Sequence, residues 1–102
     1  MVDYYFMPAK HKHLYLICYD ISNDKIRSKT SELLEQWGER INLSVFECVF
    51  THAQLKKVTD EICRKMDQKT DSIKIYLLCR ECYSKCIKIG KKDNEVDTIT
   101  IL

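Results

Sequence analysis

The sequence predicts one small α+β domain, and three observations carry that expectation: the length, two stretches with apolar residues at helical spacing, and several short β-favouring runs around them. The chain has 102 residues, 45% of them hydrophobic, which is the size of a single domain with material for one core. Two glycines and one proline exclude collagen-like and low-complexity classes. The longest apolar run falls far short of the roughly 20 residues that a membrane helix needs, so no membrane partner is expected. Seventeen basic residues against fifteen acidic ones leave a net charge of +2, too balanced to announce nucleic-acid binding by charge alone. Any polyanion site must be local.

Residues 1–13 mix aromatic, basic and histidine residues without periodicity and read as an N-terminal extension, leaving 14–102 as the domain. Leu14–Tyr19 is a β-favouring run that stops at Asp20, as expected of a central strand buried on both faces. Ser22, Asn23 and Asp24 offer capping side chains. After them Ile26, Thr30, Leu33, Leu34 and Trp37 recur at helical spacing until Gly38 supplies a stop. Residues 41–50 have β-favouring composition but no Asn-Gly or Gly-Gly pair, which leaves open a tight hairpin near Ser44 or one bulged strand.

Thr51 and Gln54 fit a capping box, and Leu55, Val58, Ile62 and Met66 form the apolar stripe of a second helix. A polar connection, 67–71, leads to a strand over Ile73–Leu78. A cysteine-bearing loop, a short 87–90 segment and a terminal strand candidate, 98–102, follow. With two strands in 41–50 the order is βαββαβ, ferredoxin-like, with both helices on one face of the sheet and an additional C-terminal β segment. The uncovered face then calls for a partner, and a two-fold-related copy supplies one most simply. A homodimer is therefore expected, with the C-terminal strand reaching across.

Six cysteines stand at 18, 48, 63, 79, 82 and 86. With no export signal visible at the start, the expected setting is cytoplasmic and reducing, and the thiols free. Cys79-x2-Cys82-x3-Cys86 has spacing suited to zinc, yet a structural zinc site takes four ligands and His11, His13 and His52 stand at no recognisable spacing from it. A free-thiol loop is the expectation.

Several blocks together resemble a known family. Tyr19-Asp20-Ile21, Asp24-Lys25-Ile26-Arg27, Gly38-x-Arg40, Ser44-Val45-Phe46-Glu47-Cys48, Asp71 to Tyr76, Leu78 to Cys82 and Ile89-Gly90-Lys91 are similar in order and spacing to the small CRISPR-associated endoribonucleases, numbered two in the usual naming. The resemblance covers roughly residues 13–102. It implies a ferredoxin-like homodimer that cleaves nucleic-acid phosphodiesters, RNA or duplex DNA, with Mg2+ or Mn2+. It also implies a bridging role between two dimers of the CRISPR-associated integrase during spacer acquisition. Asn42 stands where the family usually has glutamine, and Ile26 interrupts a usual basic pair. Both departures bear on substrate contacts more than on fold.

On pattern alone Asp20 caps the following helix. The resemblance instead makes it the catalytic, metal-binding residue, since magnesium takes hard oxygen ligands and often only one or two carboxylates. Two copies facing each other across a dimer axis would form a negative pair that holds a cation or takes up a proton. Arg27, Arg40, Ser44 and Phe46 match family positions and are carried as substrate-binding candidates, although a strand serine and phenylalanine most often serve packing and local hydrogen bonds. A local +4 between Arg80 and Lys92 is a second candidate phosphate contact. Glu47 lies opposite Phe46 in strand alternation. Three readings follow: a metal-dependent endonuclease, a catalytically silent DNA-binding scaffold of the integration complex, and a toxin-type ferredoxin-like ribonuclease.

Overall fold

The structure, a computed structural model, describes residues 11–90. In chain order it contains β1 (Lys12–Asp20), α1 (Asp24–Glu35), β2 (Gly38–Asn42), β3 (Val45–Thr51), α2 (His52–Lys65), β4 (Ser72–Leu78) and a short α3 (Arg80–Ser84). The four strands form one sheet in the order β2-β3-β1-β4, every neighbouring pair antiparallel. This is the ferredoxin-like arrangement, with the first strand in the centre between two that follow much later. The expected terminal strand, 98–102, lies outside the described residues. β1 takes in Lys12 and His13, opposite Thr51 and Phe50, so the sheet begins two residues inside the stretch read as an extension.

Alternation along the strands sorts the two faces. Tyr15, Ile17 and Tyr19 of β1 and Phe46, Cys48 and Phe50 of β3 are buried together with Leu34 of α1 and Leu55, Val58 and Ile62 of α2. Both helices therefore cover one face. Burying each such side chain contributes about 1.5–3 kcal/mol. On the helix-free face Leu16 and Cys18 are only half-buried and Leu14 is fully buried, so β1 is not enclosed equally on both sides.

Local chemistry sets the element ends. Asn23 caps α1, its side chain accepting from the Ile26 N–H at 3.0 Å. Thr51 and Gln54 form the capping box at α2, with bonds of 3.2 and 2.8 Å in the two directions. Gly38 does not end α1 through a left-handed turn; Gln36 is the C-cap, and Gly38 opens β2. A Cβ there would lie 1.9 Å from the Glu47 carbonyl oxygen, so glycine is required for the close approach of β2 to β3. The segment 41–50 holds a hairpin with Leu43 and Ser44 at its turn, and also a register irregularity between Arg40 and Asn42. The cysteine segment is not a loop throughout, because α3 forms with Cys79 as its N-cap.

Candidate functional site

Asp20 ends the central strand, opposite Ser72 of β4. It shares the helix-free face with Leu16 and Cys18 and is exposed, and its carboxylate makes no hydrogen bond or ion pair among the described residues. Since Asn23 caps α1, the helix makes no use of Asp20. Two neighbouring loops pin the strand end. The Tyr19 N–H donates to the Ser44 carbonyl at 3.0 Å, and the Tyr19 hydroxyl donates to the Leu43 carbonyl at 3.4 Å, bringing the β2–β3 turn beside Asp20.

On the other side stands Asp71, a buried carboxylate that the sequence shows at the end of a polar connection and the start of a family-like block, with no role assigned to it. Its Oδ1 accepts from the Ser22 N–H, the Ser22 hydroxyl and the Thr70 hydroxyl, each at 3.1 Å. Its Oδ2 accepts from the Asp67 N–H at 3.0 Å. These donors, the backbone N–H groups of Asp67 and Ser22 first, hold its pKa below the ordinary carboxylate value. Asp71 thus fixes the turn that follows Asp20. The pair Asp67 and Asp71, four apart just ahead of a strand, was the available signal.

The other candidates divide. Ser44 is half-buried in the hairpin turn at the same end of the sheet as Asp20. Arg27 is also at that end, but its guanidinium donates to the Ile21 carbonyl at 2.9 Å and pairs with Asp24. Arg40 bonds the Ser31 hydroxyl, approaches Glu35 at 3.4 Å, and lies 5.3 Å above the Phe46 ring. Phe46 is 0% exposed and stacks on Tyr19. Its place is in the core between sheet and helices. Glu47 shares Asp20's face, but its register partner is Leu16, four residues or about 13 Å along the strand from Asp20.

Among the described residues no group of three or more His, Cys, Asp or Glu side chains is placed to hold a metal ion. At this strand end Asp20 offers an exposed pair of hard oxygens with no competing partner among the described residues. That donor set fits a magnesium-type ion only when water, phosphate or a second copy completes it. In the basic stretch after β4, Lys85 pairs with Glu81 at 3.2 Å, while Lys91 and Lys92 lie outside the described residues. No helix among them is long and apolar enough to cross a membrane.

The family described as CRISPR associated protein Cas2 matches residues 13–86. A CRISPR-associated endoribonuclease Cas2 of Rhodospirillum rubrum is 36% identical over 76 residues, 74% of this chain and 61% of that protein; this chain thus spans about three fifths of that relative's length. Among solved structures, Streptococcus pyogenes Cas2 is 29% identical with a TM-score of 0.68, covering 76% of this chain and 99% of its own. A chain in a partial Cas6-RT-Cas1–Cas2 complex is 32% identical with a TM-score of 0.60, covering 76% and 90%.

Proposed function

The chain belongs to the CRISPR-associated Cas2 family, and on that premise we propose that it is a metal-dependent endonuclease whose reaction centre forms between two copies of Asp20. The supporting observation is the state of that carboxylate: exposed, uncommitted, and anchored at the end of the central strand on the face that the helices leave open. In this reading two protomers meet through their helix-free faces, and the Asp20 carboxylates of both would hold Mg2+ or Mn2+. The ion supplies charge neutralisation at the phosphate and a bound water of lowered pKa. The chain supplies position: β4 and the β2–β3 turn hold the strand end from both sides, Asp71 fixes the turn beyond it, and Ser44 offers a hydroxyl toward the substrate. Phosphodiesters of RNA are the first substrate class, as the relative's name indicates.

The test is cleavage of labelled RNA and duplex DNA by wild type and by Asp20→Asn, with magnesium, manganese or chelator, on dimers isolated by size exclusion. Metal-dependent cleavage lost in Asp20→Asn supports the reading. Cleavage at full rate in the variant, or an exclusively monomeric protein, overturns it.

One observation favours a second reading, a scaffold in the integration complex without chemistry of its own. Arg27 and Arg40 are engaged within the chain and Phe46 is buried, which leaves few groups near Asp20 to grip a substrate. Here the partner is the Cas1 integrase, as in the complex containing a similar chain. Asp20→Asn then still co-purifies with Cas1 and supports spacer insertion.

A further inference from the structure

The nuclease and scaffold readings leave the cysteines after β4 without a role. Cys79 and Cys82 are both exposed and lie where β4 gives way to α3. Cys79 leaves the strand in an extended conformation that turns its sulfur back over the next residues, and Sγ accepts from the Cys82 N–H at 3.1 Å. Cys86 stands past α3 with its N–H on the Tyr83 carbonyl. Cys48, by contrast, is enclosed in the core, where burial, with Glu47 beside it, pushes its thiol up to about 12. Only exposed, thiolate-forming sulfurs exchange readily.

We propose that Cys79 and Cys82 are a redox-active dithiol that exchanges with low-molecular-weight disulfides and closes reversibly to an intramolecular disulfide. The division of labour follows from the contacts. Cys79 is the attacking sulfur, because its Sγ receives the Cys82 N–H and the neighbouring Cys82 side chain and N–H lower its pKa, while the Cys79 sulfur raises that of Cys82. The Cys79 thiolate attacks one sulfur of the small disulfide. That S–S bond breaks, a mixed disulfide forms on Cys79, and one small thiolate leaves. Cys82 gives its proton to the departing thiolate and attacks Cys79 Sγ. The second small thiol is released, leaving the Cys79–Cys82 bond. Two protein thiols are oxidised and one small disulfide is reduced to two thiols; excess thiol reverses both steps. Closure takes the Cys79 thiolate away from the Cys82 N–H and so weakens the cap of α3.

The probe is oxidised and reduced glutathione in graded ratios, applied to the full reduced chain, acid-quenched and read by intact and peptide mass spectrometry. Wild type and Cys86→Ser are expected to lose two hydrogens within the peptide containing residues 79 and 82. Cys82→Ser is expected to stop at a glutathione adduct on Cys79, and Cys79→Ser to form no disulfide at Cys82 at the same ratios. Thiols that stay reduced throughout, a stable adduct in wild type, or a bond that uses Cys86 or a second chain overturns the proposal. None of these outcomes depends on Asp20, so the dithiol and the nuclease reading fail separately.

Discussion

The Asp71 carboxylate receives both the backbone N–H and the hydroxyl of Ser22 at 3.1 Å, joining two loops 49 residues apart in sequence. Asp71→Asn keeps the size but turns an acceptor-only group into one that is half donor. Its melting temperature is expected to fall below that of wild type at neutral pH. Because the folded-state pKa of Asp71 lies below that of the unfolded chain, its stabilisation is complete above the unfolded value and is lost as the pH falls through the folded one. The gap between wild type and variant should therefore narrow in acid, which urea unfolding at a series of pH values checks.

Phe46 separates a packing role from a substrate role. Phe46→Ala removes a fully buried ring and should cost about 3–5 kcal/mol in urea unfolding. Phe46→Leu should lose less stability and retain nucleic-acid affinity in a gel-shift assay. An affinity loss in the leucine variant without destabilisation would return Phe46 to the substrate.

Gly38→Ala tests the close approach of β2 and β3. The added carbon meets main chain on Glu47 and Cys48, where no side chain can swing aside, and the strands must part. A cost of about 1–3 kcal/mol is expected, with faster hydrogen exchange of the amides in β2.

Asp20→Asn should be almost silent in stability, within about 0.5 kcal/mol of wild type, because the exposed carboxylate has no partner to lose among the described residues. Any loss of cleavage in that variant then belongs to chemistry. A large drop in its melting temperature would point instead to a structural role.

Thr51→Ala removes the acceptor for the Gln54 N–H and is expected to cost about 0.5–2 kcal/mol, measurable by thermal unfolding.

Local signals were readable in the sequence, and relations between distant segments were not. The capping box at Thr51 and the stripe Leu55, Val58, Ile62 depend on neighbours within a few residues, and both stand as expected. The β2–β3 turn lacks glycine and is instead supported by the Asn42 side chain, which accepts from the Leu43 N–H at 2.7 Å. Gly38 looked like a helix stop because what demands it is the backbone of β3, ten residues on. Arg27 and Arg40 carried the charge of phosphate ligands, but only the folded chain shows the Ile21 carbonyl, Ser31 and Glu35 that engage them. The helix at Arg80–Ser84 carries no ordinary start signal, because its cap is a thiol, not one of the oxygen side chains that usually mark a helix start.

The sheet's middle strand is also its first-made. As the chain leaves the ribosome, Leu14 to Tyr19 emerge long before either flank exists: β3 starts at Val45 and β4 at Ser72. Until then an apolar ribbon waits with both edges unsatisfied, and its last pairing closes a loop spanning most of the domain. Over that interval the ribbon is the part of the chain most open to pairing with another copy.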